Sequence, residues 1–264
     1  MNNAKENNIG TENEGLVSEL GDILERIAKD PGIGMDYFAI CACALELLED
    51  TLGKGYDFPI DIEKIVKSQG IDIVYRPLNE EDRQNAHKIV GKVIIRKNRF
   101  TQKDANIMFI DDKSREDEQR YAMAHGLAHY LIHIGEEWYS GEYRVMPMLC
   151  KEKDDIVADI FAVFLLIPLP IFLKEFSLYL GGEPIPVRTS EWLKYLSNVT
   201  EVPYEDVAIG YQNIRYVFSC ITTYQKEQHA TSDDNREIPE IVCKHRKNMI
   251  RMLEEEKEFD KLFR

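Results

Sequence analysis

The sequence predicts an α+β protein: a small sheet feeding into a pair of buried helices, with helical additions at both ends. Three observations predict it. Apolar residues before position 70 recur at helical spacing, those from 71 to 110 fall into short strand-like runs, and apolar helical segments follow at 119–133 and 154–167. With 264 residues, 44% of them hydrophobic, the chain can bury a substantial core.

The elements follow in order. Residues 1 to about 15 are rich in Asn and Glu and read as disordered. Leu16, Leu20, Ile23, Leu24 and Ile27 set a short amphipathic helix over 16–29, and a Pro-Gly-Ile-Gly break at 31–34 closes this N-terminal extension, 1–35. Ile40, Cys43, Ala44, Leu47 and Leu48 predict a strongly apolar helix from Tyr37 to Leu52. Pro59 opens another, with Ile62, Ile65 and Val66 on one face and Gly70 as its stop. The period then changes, and 71–75, 89–96 and 107–110 read as strands. After the histidine-bearing segment a second buried helix runs from about Asp154 to Ile167, ended by Pro168. Helices at about 189–197 and 203–216 follow. A charged helix at 238–263, with Val242, Met249, Leu253 and Phe263 interleaved, reads as an amphipathic docking helix. We therefore expect a core over 36–180, a closing helical subdomain over 181–220, and a linker with the charged helix over 221–264. No internal repeat is visible.

Composition excludes some functions. A net charge of −14 argues against a nucleic-acid-binding surface. Five cysteines, none in a Cys-x-x-Cys pair, suit a reduced cytosolic protein. The first residues have no apolar core and do not read as a signal peptide. The longest apolar run, 160–173, is broken by Pro168 and Pro170 and is too short to span a bilayer. A soluble cytoplasmic protein is expected, with no membrane partner.

The chemistry concentrates on 119–133. Ala124, Leu127, Ala128 and Leu131 form a core stripe, and His125 and His129 fall one turn apart on a neighbouring face. That is the geometry two imidazoles need to grip one metal ion, although two satisfied core or surface histidines would look the same. It is the frame of the zincin motif His-Glu-x-x-His, with Gly126 where the general-base glutamate should stand. The second helix is apolar except at Asp155 and Asp159, four apart on one face. Asp155 reads either as a first-turn acid favoured by the helix dipole or as a third metal ligand. Asp159 lies too deep for the dipole reading, and a buried carboxylate needs a partner; orienting a ligand histidine would supply one. His133 reads as structural, Glu136 and Glu137 as a solvated loop, and Tyr130 as a packing residue.

The chain resembles the ImmA/IrrE family of metallo-endopeptidases. The family segment Arg-Phe-Thr-x-Ala-His-Glu-x-x-His-Tyr-x-x-His is matched by Arg120 to His133. Its Glu-x-x-Ala-Asn-x-Phe-Ala-x-x-Leu-Leu-x-Pro is matched by Asp155 to Pro168. Upstream, 59–65 and 70–75 are similar to its opening helix and first strand, and 202–208 to its closing helical pair, so the resemblance spans about 36–216. It implies a zincin-like core, a Zn2+ site held by His125, His129 and Asp155, and cleavage of a helix-turn-helix repressor of a mobile element or stress response. Two departures stand out. Asp155 replaces a glutamate, one methylene longer. Gly126 replaces the glutamate that takes a proton from the attacking water and passes it to the leaving amine. Activity is therefore expected to be weak or absent, and a zinc-containing module that binds its partner without cutting it is the alternative.

Overall fold

The computed structural model describes residues 9–29, 35–53, 55–78, 89–96, 105–136, 138–144, 152–168 and 189–211. The charged helix expected at 238–263 and residue Glu137 lie outside the described residues. The fold is α+β, and the chain forms two compact units: 1–31 with 61–159, and 32–60 with 160–264.

The first unit is built on a four-stranded sheet of β1 (Asp72–Tyr75), β2 (Ile89–Arg96), β3 (Ala105–Ile110) and β4 (Trp138–Arg144), ordered β1-β3-β2-β4. β1 runs parallel to β3, with Asp72 opposite Ile107; β2 is antiparallel to β3 and to β4, with Val93 facing Met108 and Gly141. Met108 and Ile110 are fully buried while Ile107 and Phe109 are half-buried, the period of a sheet with one face on the core. β2 has the bounds that its Ile/Val run predicts. β4 is an addition: Trp-Tyr-Ser-Gly-Glu-Tyr-Arg has no clean alternation, and it becomes a strand through pairing with β2.

Helix α1 (Ile9–Lys29) starts seven residues before the first leucine of its apolar stripe. Residues 9–15, expected from their Asn and Glu content to be disordered, belong to this helix. Gly21 lets α1 approach closely; a β-carbon there would lie 2.2 Å from the Leu131 carbonyl oxygen. Helix α2 (Met35–Leu52) belongs to the second unit. Helix α3 (Ile62–Ser68) begins later than Pro59 suggests, because the Asp61 carboxylate accepts the Lys64 N–H at 3.0 Å and caps it. Gly70, at φ 71°, turns the chain into β1.

Helix α4 (Glu116–His133) packs on the sheet, on α1 and on α3. Its start is fastened: the Glu118 carboxylate accepts the Arg115 N–H, Ser114 Oγ donates to Asp111, and the Gln119 amide donates to the Asp111 and Ser114 carbonyls. The amphipathic reading of this helix is corrected. Every residue from Tyr121 to Ile132 is buried, so α4 is a core helix and its histidines are enclosed rather than displayed.

Helix α5 (Lys153–Leu166) contributes its first turns, to Asp159, to the first unit. In the second unit its apolar remainder, Ile160 to Leu166, is buried, as are Ile40, Leu47 and Leu48 of α2 and Trp192 and Leu196 of α6 (Thr189–Thr200). Residues 204–211 form a further helix, whose Gly210 takes the place a β-carbon would contest with the Val163 methyl at 2.2 Å. Among the described residues no helix is long and apolar enough to cross a membrane.

Candidate metal centre

Three side chains converge inside the first unit. His125 and His129, both 3% exposed, bring their Nε2 atoms to 3.1 Å, and His129 Nε2 lies 3.2 Å from Asp155 Oδ1. Helical periodicity produces the first pairing, since residues four apart share a face. The second depends on α5 delivering its first turn to that face.

The far sides of the rings decide what the near sides can do. Asp159 Oδ1 sits 2.7 Å from His125 Nδ1 and accepts the Tyr121 hydroxyl at 3.0 Å. A carboxylate only accepts, so His125 carries its proton on Nδ1 and turns a bare Nε2 lone pair toward His129. The Tyr139 hydroxyl, delivered by β4, meets His129 Nδ1 at 3.0 Å. Two nitrogen lone pairs and a carboxylate oxygen cannot share so small a space without a cation or a proton between them.

The donors fit a metal. Two neutral imidazole nitrogens and one carboxylate oxygen suit zinc, and all three atoms lie within 4.8 Å of one another. The separations of 3.1 and 3.2 Å compare with about 3.3 Å between ligands of a tetrahedral ion with bonds of about 2.05 Å. Burial, the largest influence on His129, pulls its pKa below the ordinary value against the opposing Asp155 carboxylate, which favours the neutral ring a metal needs. Burial pushes Asp155 upward, but the hydrogen bond and charge at His129 outweigh it and hold the carboxyl below its usual range.

His133, one turn on, belongs to a different arrangement. Its Nδ1 faces Glu136 at 2.8 Å and its Nε2 faces Asp154 at 3.3 Å. Burial works against its charge, yet the two carboxylates win and raise its pKa, while the His133 bond brings Asp154 down to about 2. His133, His129 and Asp154 also group closely enough for a metal, but each His133 ring nitrogen already faces a carboxylate, Glu136 or Asp154. Glu136 is solvent-exposed, as expected, and also bonds His133. Tyr130 is buried, with its hydroxyl 3.4 Å from the Asn106 amide.

The structure therefore brings His125, His129, Asp155 and Asp159 together, with Gly126 buried beside the first histidine. Sequence reasoning missed Tyr121, Tyr139 and Asp154. Tyr121 had a signal, standing four residues before His125 on the same face. Tyr139 had none, because β4 itself could not be read.

A core helix bearing His-x-x-x-His, set on a small mixed sheet and met by a carboxylate from a second helix, defines a zincin-like metallopeptidase fold. The chain matches the model of the IrrE N-terminal-like domain of the M78 peptidases over residues 66–209, more than half its length, and belongs to that family. No curated protein matches the chain.

Proposed function

We propose that the chain is a zinc-binding ImmA/IrrE-type protein, with His125, His129 and Asp155 as ligands, that engages a helix-turn-helix repressor and cuts it slowly or not at all. The observation that carries this reading is the convergence of three ligand atoms, His125 Nε2, His129 Nε2 and Asp155 Oδ1, with Asp159 holding the His125 lone pair inward. Zinc held there would polarise a peptide carbonyl. The chain's own residues do the rest: Asp159 and Tyr139 fix the two rings, and Asp155 offsets the ion's charge. A general base at the motif position is what the chain lacks. Gly126 has no side chain to move a proton, and the nearby carboxylates Asp154, Asp155, Asp159 and Glu136 each bond a histidine. General acid–base assistance contributes about 10²–10⁴ in rate, so its loss raises the barrier by roughly 3–5 kcal/mol. The net charge of −14 complements the basic surface of a DNA-binding partner and speaks against direct nucleic-acid binding. The same engagement of the carboxylates favours the second reading, a zinc-containing module that binds its partner without cleavage.

Two measurements test this. Purified protein should hold about one zinc per chain, lost in His129→Ala; protein that takes up no zinc overturns the metal reading. Gly126→Glu should then produce cleavage of a cognate repressor, abolished again by His125→Ala. Binding of zinc and partner without cleavage in Gly126→Glu assigns the non-catalytic role. Cleavage by the unaltered chain at the rate of Gly126→Glu would mean that another residue supplies the base.

A further inference from the structure

His125 and His129 are supported by partners of different chemistry. Asp159 can only accept a hydrogen bond, whereas the Tyr139 hydroxyl can donate or accept. His125 is thereby held to one tautomer and His129 is not. Without metal, the His129 Nε2 proton has two acceptors, the His125 Nε2 lone pair at 3.1 Å and the Asp155 carboxylate at 3.2 Å. His129 Nδ1 then needs a donor. With a cation in front of Nε2, the proton must move to Nδ1, which then needs an acceptor. A hydroxyl at 3.0 Å serves both states by rotating about its C–O bond.

The phenol is held where it can do this. Its ring stacks on His133, centroids 3.9 Å apart and planes 14° from parallel. On the other side it lies against Gly141, two residues along β4 and on the same strand face. A β-carbon at Gly141 would lie 2.5 Å from the Tyr139 hydroxyl oxygen and 2.8 Å from its ring edge. The position admits no side chain while the hydroxyl points at His129.

We propose that Tyr139 is a positioning residue whose hydroxyl reverses its hydrogen bond so that His129 can change tautomer as metal enters, and that Gly141 is the vacant strand position that lets Tyr139 reach it. The assignment rests on the metal reading above, but half of its test does not need metal. It gives Tyr139 a role that a second carboxylate could not fill, since an acceptor-only partner would hold His129 on Nδ1 in both states and turn two bare lone pairs toward each other.

The experiment uses the full chain, ¹⁵N-labelled at histidine. Long-range ¹H–¹⁵N spectra of chelator-treated protein should report His125 protonated on Nδ1 and His129 on Nε2. After zinc is added, the His129 proton should appear on Nδ1 while His125 stays unchanged. Tyr139→Phe keeps the ring and its stack but removes the hydroxyl. It should weaken zinc about 10- to 100-fold in chelator competition, the usual effect of losing a ligand's supporting partner, with little change in the melting of metal-free protein. Gly141→Ala should weaken zinc comparably by displacing the ring. His129 with the same tautomer in both states, or Tyr139→Phe binding zinc as tightly as the parent, overturns the proposal. A parent chain that takes up no zinc defeats the metal reading instead, and the chelator-treated spectra still decide the partnership: a His129 Nδ1 resonance that Tyr139→Phe leaves unshifted refutes it.

Discussion

Asp159 offers the sharpest quantitative test of how the centre is held. Its carboxylate receives the His125 ring at 2.7 Å and the Tyr121 hydroxyl at 3.0 Å, in a site where His125 is 3% exposed. Removing it leaves His125 Nδ1–H without its acceptor and frees the ring to rotate. Losing such a partner weakens metal binding by about 10- to 100-fold, or roughly 1.4–2.8 kcal/mol at about 1.4 kcal/mol per tenfold. Asp159→Ala should show that loss in competition against a chromophoric chelator while His125, His129 and Asp155 remain in place. Tyr121→Phe removes one of two donors to the carboxylate and should cost less, a few-fold. The double variant should bind like Asp159→Ala alone, because the Tyr121 hydroxyl that Phe removes donates to Asp159. Unchanged affinity in Asp159→Ala beside a large fall in thermal stability would refute the reasoning and leave Asp159 a purely structural residue. Full additivity of the two losses would refute the shared route.

Further expectations concern packing and reactivity. Gly21→Ala should destabilise the fold by about 1–3 kcal/mol, since the contested atom is the Leu131 backbone carbonyl at 2.2 Å and cannot turn aside. A thermal melt should fall by several degrees, and an unchanged melt would mean that α1 shifts freely on α4. Gly210→Ala should also destabilise, because its obstacle is a methyl of buried, helical Val163 at 2.2 Å, a β-branched side chain with little rotamer freedom; an unchanged melt would contradict this. Cys41 and Cys43 are buried, and burial pushes the Cys41 thiol up to about 12. Neither should react with iodoacetamide before the protein unfolds; prompt labelling of either would show that the α2 region opens readily.

The sequence was most legible where periodicity and burial agree. The Ile/Val run of β2 carries its own bounds, and the histidine pair is a consequence of helical spacing alone. Asp155 and Asp159 stood out because carboxylates are rare in so apolar a helix. What stayed hidden depends on tertiary pairing. Trp138 to Arg144 has serine, glycine and charged residues where a strand signal needs alternation, so β4 is specified by β2 rather than by itself, and Tyr139 was invisible with it. The burial of α4 on all sides was hidden for a related reason. Glu116 to Arg120 make the segment look like a surface helix, while α1, α3 and the sheet enclose the turns that follow. Where α3 begins was set by one hydrogen bond from Lys64 to Asp61 rather than by the proline before it.

The proposed ligands His125 and Asp155 stand 30 residues apart in the chain, with the whole of β4 between them. An ion gripping both would act as a cross-link and would close that span into a ring. By the chain-entropy estimate used for disulfides, a loop of this size removes about 3–4 kcal/mol of freedom from the unfolded chain. Metal affinity and resistance to unfolding would then draw on the same free energy. The strand that carries Tyr139 to His129 lies inside the ring, so the ion would help to hold in place the residue that helps to hold the ion.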